Sequence, residues 1–278
     1  MIEVKSHTFK GNYTDAELDK ALVFARGGLA DRLRKNPAGV GLQVSGCFLH
    51  ACTAYHLGRI PDATELMDAS CDCAAAMFSA ISAEPNVQVT FPFRGGQLSG
   101  TSGKPAYGAG PGNWITAMLL AIARRRHDVI EVLRDTPLAR LKEAPGERDE
   151  CFAHWVLALQ SFQGGSLFGE ELAQADRLSR PEALKVATPA IVERYRAMGQ
   201  VLGAIDVNSQ AAYDQALKAS VEAHKNFFGR GKQAGAPDSL IDPISCGLAV
   251  LGQERGLELH VRSGYLPEWL IAKPAAQP

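Results

Sequence analysis

The chain has no run of about eighteen apolar residues, which excludes a membrane-spanning helix read from hydropathy. Its start, Met1-Ile2-Glu3-Val4-Lys5-Ser6-His7, lacks the basic-then-apolar pattern of a secretory leader, so the expected address is the cytoplasm. Cysteine is sparse, six in 278 residues at positions 47, 52, 71, 73, 151 and 246, and mostly set in apolar helical segments. That distribution fits buried thiols better than a disulfide framework. There is no charge excess of either sign, the formal net charge being −1, and no basic stripe with interleaved aromatics, so nucleic-acid binding has no electrostatic support.

Catalytic and cofactor signatures are missing as well. No His-Glu-x-x-His occurs, and Ser45-Gly46-Cys47 is not a nucleophile elbow. Gly100-Thr101-Ser102-Gly103-Lys104-Pro105 fails the phosphate-binding loop, because its first glycine is too close and Pro105 stands where a Ser or Thr should hold magnesium. Gly108 to Gly112 misses the dinucleotide spacing, and residues 100–112 read as a mobile surface loop. A metal site on Cys47, His50, Cys52 and His56 is disfavoured by helix geometry. At about 100° per residue, Cys47 and His50 share one face while Cys52 and His56 share another. No cofactor and no metal is expected.

What is present is helix signal. Forty-six per cent of the residues are hydrophobic and 21% charged, enough for a sizeable core. Thr14-Asp15-Ala16-Glu17 forms a capping box ahead of Leu18, Leu22, Ala25, Leu29 and Leu33 on one face, and Asn36-Pro37 stops that helix. Further helices are expected over residues 40–57 and from Asp62 to Ser82. Alternation of Val87, Val89, Phe91 and Phe93 then predicts a strand, with Arg94-Gly95-Gly96 turning it back, and Pro92 confines it to an edge.

The stretch Ile115 to Ala123 is apolar on nearly every face, which requires enclosure by other helices. Asn113 is expected to cap it, and Arg124-Arg125-Arg126 to sit at its C-terminus where cations complement the macrodipole. Asp128 and Glu131 are expected to cap the next helix. Phe152, Trp155, Val156, Leu159 and Phe162 define another core stripe, with His154 off it and Gly164-Gly165 ending it. Helices over about 167–178 and 189–202 follow. From Ser209, Tyr213, Leu217, Ser220, Val221, His224 and Phe228 share a face. Asp242 caps a helix with Pro243 at its first position, and Gly256 ends it. Leu257, Leu259 and Val261 alternate as a short strand, and residues 273–278 read as a frayed tail. The expectation is a mainly α, irregular multi-helix single domain over residues 1–278, built of packed helical hairpins with a small β-hairpin and a short C-terminal strand.

The ordered set Gly112-Asn113-Trp114, His154-Trp155, His224-Lys225, Pro243 to Leu251 and Tyr265-Leu266-Pro267-Glu268-Trp269-Leu270 resembles the immunity protein 49 family, most strongly over about residues 87–271. The first 80 residues match only in being helical, and the ending Glu268-Trp269-Leu270 departs from the basic residues familiar there. The resemblance implies a mostly α-helical bacterial protein that binds and neutralises a cognate toxin without catalysis. Because Trp114, Trp155 and His224 fall on core-facing stripes, they are read as fold-defining. Arg94, Lys104 and Tyr107 in the hairpin and glycine-rich loop are the candidate partner contacts. Two other readings stay open: a helical adaptor for another protein partner, and a small helical enzyme pairing Cys151 with His154. The oligomeric state is not legible.

Overall fold

The computed structural model describes residues 1–146 and 148–273, so the tail read over 274–278 lies outside the described residues. The capping box forms as expected: Thr14 Oγ1 accepts from the Glu17 N–H while the Glu17 carboxylate accepts from the Thr14 N–H, opening α1 (Asp15–Val23). A π-turn (Phe24–Gly28) then joins it to α2 (Leu29–Lys35) without a break. Leu18, Leu22, Ala25, Leu29 and Leu33 are all buried along this compound helix. Asn36 caps the 3₁₀ turn Pro37–Gly39 that follows.

Helices α3 (Gly41–His56) and α4 (Ile60–Ser82) pack as an antiparallel hairpin under this first layer. Helix α4 starts two residues before the expected Asp62, because Pro61 is compatible with a first turn and Asp62 is spent on Arg59 and Arg26. Strands β2 (Gln88–Phe93) and β3 (Gly96–Thr101) form the antiparallel hairpin, paired from Gln88–Thr101 to Phe93–Gly96. Its two-residue turn places Arg94 and Gly95 both at positive φ, 50° and 73°, the mirror-image turn that matches strand twist. The loop beyond is less free than its glycines imply: Ser102 and Ala109 are buried, and Gly108 lies against Gly41, where any Cβ would clash.

Helix α5 (Pro111–Ala123) is the enclosed element. It contacts α4, α6 (His127–Arg134), α7 (Leu138–Lys142), α8 (Cys151–Gln163) and, most extensively, α12 (Pro243–Glu254). Close approach to α12 depends on Gly247, whose absent Cβ would sit 2.4 Å from the Leu119 carbonyl oxygen. Two capping expectations need correction. Helix α5 begins at Pro111 after Gly110, leaving Asn113 exposed inside the first turn, since Pro supplies a pre-set φ at no hydrogen-bond cost. Helix α6 begins at His127, and Asp128 is drawn to the Arg126 guanidinium at 2.9 Å instead of capping.

Two further hairpins complete the shell: α8 with α9 (Gly169–Leu178), and α10 (Pro189–Asp206) with α11 (Gln210–Phe228). Asp149, expected merely to favour the start of α8, accepts from the backbone N–H groups of Lys185, Val186 and Ala187, the last at 2.7 Å. Asp242 caps α12 with Pro243 in the first turn, and Gly256, φ +88°, follows its end. The C-terminal strand is shorter and later than the alternation predicts. Strand β4 (Val261–Arg262) pairs in parallel with β1 (Ile2–Glu3), and its partner fixes its limits. A short α13 (Glu268–Ile271) follows. Buried residues from Val4 to Ile271 join one continuous apolar core.

Candidate functional site

The motif residues gather inside the shell. Trp114 is fully buried, and its Nε1 donates to the Leu133 carbonyl at 2.9 Å, fastening α5 to α6. Trp155 stacks on Tyr195 with centroids 5.4 Å apart, and Phe152 packs edge-on to both. The Tyr195 hydroxyl reaches the Gly112 carbonyl at 3.5 Å, so Gly112 belongs to the same aromatic joint between α5, α8 and α10. His154 lies off this stripe, as its spacing predicts, and bonds Glu171 of α9 through Nδ1 at 2.7 Å.

Around His224 the interior turns polar. Its Nε2 donates to the Ser239 carbonyl at 3.0 Å, and Nδ1 faces Asp242 Oδ1 at 3.4 Å, an electrostatic contact without hydrogen-bond geometry. Asp242 also receives Ser245, which bonds Ser220 at 2.7 Å, and lies 3.9 Å from Arg194. Burial alone pushes the Asp242 carboxyl up, but His224, Arg194 and Ser245 outweigh it and hold the group below the usual carboxylate range. Tyr265 packs edge-on to His224, and its hydroxyl meets both the N–H and Nδ1 of His7 at 2.7 and 2.6 Å. Leu266 is buried beside it, and Pro267 precedes α13. The network joins the N-terminus, α10, α11 and α12.

The Cys151 and His154 pair does not make an activated nucleophile. Cys151 is buried, and desolvation pushes its thiol up to about 11, leaving it protonated at neutral pH. All six cysteines are buried and free.

The three candidate contact residues separate. Arg94 is exposed and lies against the neighbouring π-turn: its guanidinium donates to the Ala25 and Arg26 carbonyls and covers the Phe93 ring, while its backbone N–H donates to Asp72. Lys104 is exposed, and Tyr107 is 75% exposed, beside the start of α3. Sequence reasoning missed the acids that hold the arginine cluster. Arg124 grips Asp68 through two nitrogens, and Arg126 binds Asp72 and Asp128, so these cations serve α4 more than the helix terminus they follow. The available signal was Asp72 itself, a lone acid inside an apolar run, which must find a partner when buried.

Two of the surface clefts among the described residues are well formed. The larger, about 1040 Å³, lies along β1, β4 and α13 and is lined by Glu3, Lys5, Tyr55, Arg262 and Glu268 among others. The smaller, about 510 Å³, runs between α1, the π-turn and α3. Neither is lined by Trp114, Trp155 or His224.

Among known proteins, no curated sequence matches the chain and no solved structure does. The family model described as Immunity protein 49 matches residues 60–270, from the start of α4 to α13. That span takes in every motif residue named above and begins earlier than the resemblance read from the sequence. Matched over most of its length, this chain belongs to the immunity protein 49 family.

Proposed function

We propose that this chain is an immunity protein that binds a cognate bacterial toxin in the cytoplasm and blocks it stoichiometrically. Membership of the family carries the proposal. The burial of the motif side chains supports it: Trp114, Trp155, His224 and Tyr265 build the scaffold, which leaves function to the exterior. Such a role needs a rigid face and no reaction. An interface of roughly 1,600 Å² with a few aromatic or arginine anchors reaches the tightest known affinities when the scaffold loses little entropy on binding. No helix among the described residues is long and apolar enough to cross a membrane.

The test is to express the toxin encoded by the neighbouring reading frame with and without this chain and score survival alongside co-purification. Rescue accompanied by a stoichiometric complex is the expected result. Binding without rescue identifies an adaptor, and rescue without a complex identifies an activity other than inhibition by binding.

A further inference from the structure

We propose that His7 is a proton-sensitive latch: a second proton on its ring breaks the bond to Tyr265 and releases residues 1–7 from β4. The donors and acceptors around the ring carry this. The Tyr265 hydroxyl receives the His7 backbone N–H at 2.7 Å, so its own proton is left for His7 Nδ1 at 2.6 Å. Nδ1 must therefore be unprotonated, and the ring proton sits on Nε2, which faces the Ala234 carbonyl and the Ser239 hydroxyl, each at 3.3 Å. The neutral ring satisfies all of these partners. A second proton has only Nδ1 to occupy, where it meets the Tyr265 hydroxyl head-on and leaves that O–H without an acceptor among the described residues.

The surroundings resist the added charge. His224, whose Nδ1 faces Asp242, and Lys225 approach from α11, and both repel a cation at His7. The nearby acids do not offset them: Asp238 lies toward Arg194 and His224, and Asp242 is held by His224, Arg194 and Ser245. Partial burial, with those two cations, places the His7 pKa below its ordinary 6.5 against the pull of the Ala234 carbonyl. A depressed histidine pKa stabilises the closed latch fully above 6.5, and that contribution is lost as pH falls through the folded value. Release matters because His7 closes the segment that carries β1. Upstream of it, the Ile2 N–H donates to the His260 carbonyl at 2.7 Å and the Val4 N–H to the Arg262 carbonyl at 2.9 Å. Met1, Glu3, Val4, Lys5 and Ser6 form one wall of the cleft of about 1040 Å³, so a freed segment opens that cleft and uncovers buried Val4 and Tyr265.

Hydrogen exchange on the full-length chain, read by NMR as protection factors that divide out the intrinsic pH dependence of exchange, tests the latch. The Val4 and His7 amides are followed from about pH 8 to about pH 5, with amides of α5 as the internal control. Their protection is expected to hold above 6.5 and to fall by about tenfold per pH unit below it until the folded pKa is reached, while α5 stays constant. The His7 ring, followed in the same samples, is expected to titrate below 6.5. His7→Asn, whose side-chain oxygen stands near the place of Nδ1 and accepts the tyrosine proton without titrating, is expected to keep its protection throughout that range. Wild-type protection at Val4 and His7 that stays within about twofold over the whole range overturns the latch. So does a ring midpoint at or above 6.5, because the proton would then strengthen the closed state. A parallel loss in α5, which marks global unfolding, overturns it too, as does a His7→Asn profile that follows wild type, which puts the switch on another group. Where His7→Asn is unprotected at every pH, the wild-type profile and the ring midpoint decide alone.

Discussion

Asp72, buried in α4, receives Arg126 on Oδ1 at 2.8 Å and the backbone N–H of Arg94 on Oδ2 at 3.2 Å. One carboxylate thereby ties the central helix to the α5–α6 turn and to the tip of the β-hairpin, the same tip whose guanidinium holds the π-turn.

Removing that acid should be expensive. Asp72→Ala strands Arg126 with only Asp128 and leaves the Arg94 N–H unpaired, and we expect a loss of about 3 kcal/mol, read from urea midpoints. Asp72→Asn should cost less, because it keeps an acceptor and burial already pushes this carboxyl above the usual range despite Arg126. A folded pKa above the unfolded one contributes stability that is present at low pH and lost as pH rises through the folded value. The stability of wild type relative to Asp72→Asn should therefore fall as pH rises above about 4.

Asp242 carries the opposite sign. Its carboxyl is held low in the fold, so its contribution is fully present above about 4, the unfolded value, and disappears as pH falls through the folded one. Asp242→Ala, which removes the α12 cap together with the partner of His224, Arg194 and Ser245, should cost about 3–5 kcal/mol at neutral pH. The gap between the variant and wild type should narrow on acidification in thermal melts. A gap independent of pH would show that capping alone accounts for the loss.

His260 provides a local titration. Its ring nitrogens meet Asp214 at 2.9 Å and Glu258 at 3.0 Å, and these bonds raise its pKa above 6.5. The stabilisation this implies is complete below that value and fades as pH rises through the folded one. Proton NMR should find the His260 midpoint raised, and Asp214→Asn, which removes the leading cause, should move it back down.

Two glycine substitutions should behave oppositely. Gly247→Ala drives a methyl group into the Leu119 carbonyl and should destabilise by about 1–3 kcal/mol by forcing α12 from α5. Gly203→Ala, inside α10 with nothing within 4 Å of the added carbon, should stabilise by about 0.5–1 kcal/mol through helix propensity. Differential scanning calorimetry on both variants measures the contrast.

Helices were legible where apolar periodicity and a cap coincide, as at Thr14-Glu17, Ser209 and Asp242, because both signals are local. The turn at Arg94-Gly95 was legible for the same reason. Caps at Asn113 and Asp128 were misread because a nearby proline or a guanidinium competes for the same position, and the sequence does not rank those competitors. The pairings of Arg124 with Asp68 and of β1 with β4 depend on chain segments brought together only by the finished packing. Of the candidate contacts, Arg94 is exposed, and the bonds of its guanidinium to the Ala25 and Arg26 carbonyls depend on the packed fold, which its turn position alone does not reveal.

The clasp between the two ends of the chain bears on how the protein is made. His7 bonds Tyr265, 258 residues away, and Ile2 and Glu3 find their strand partners in the same late segment. At translation speeds of 5–20 residues per second, the opening segment leaves the ribosome roughly 13 to 50 seconds before its partners exist. Through that interval the first helical layer lacks its closing contact, so nascent chains should be open to proteases near their start, and full protection should arrive only once Tyr265 has been synthesised.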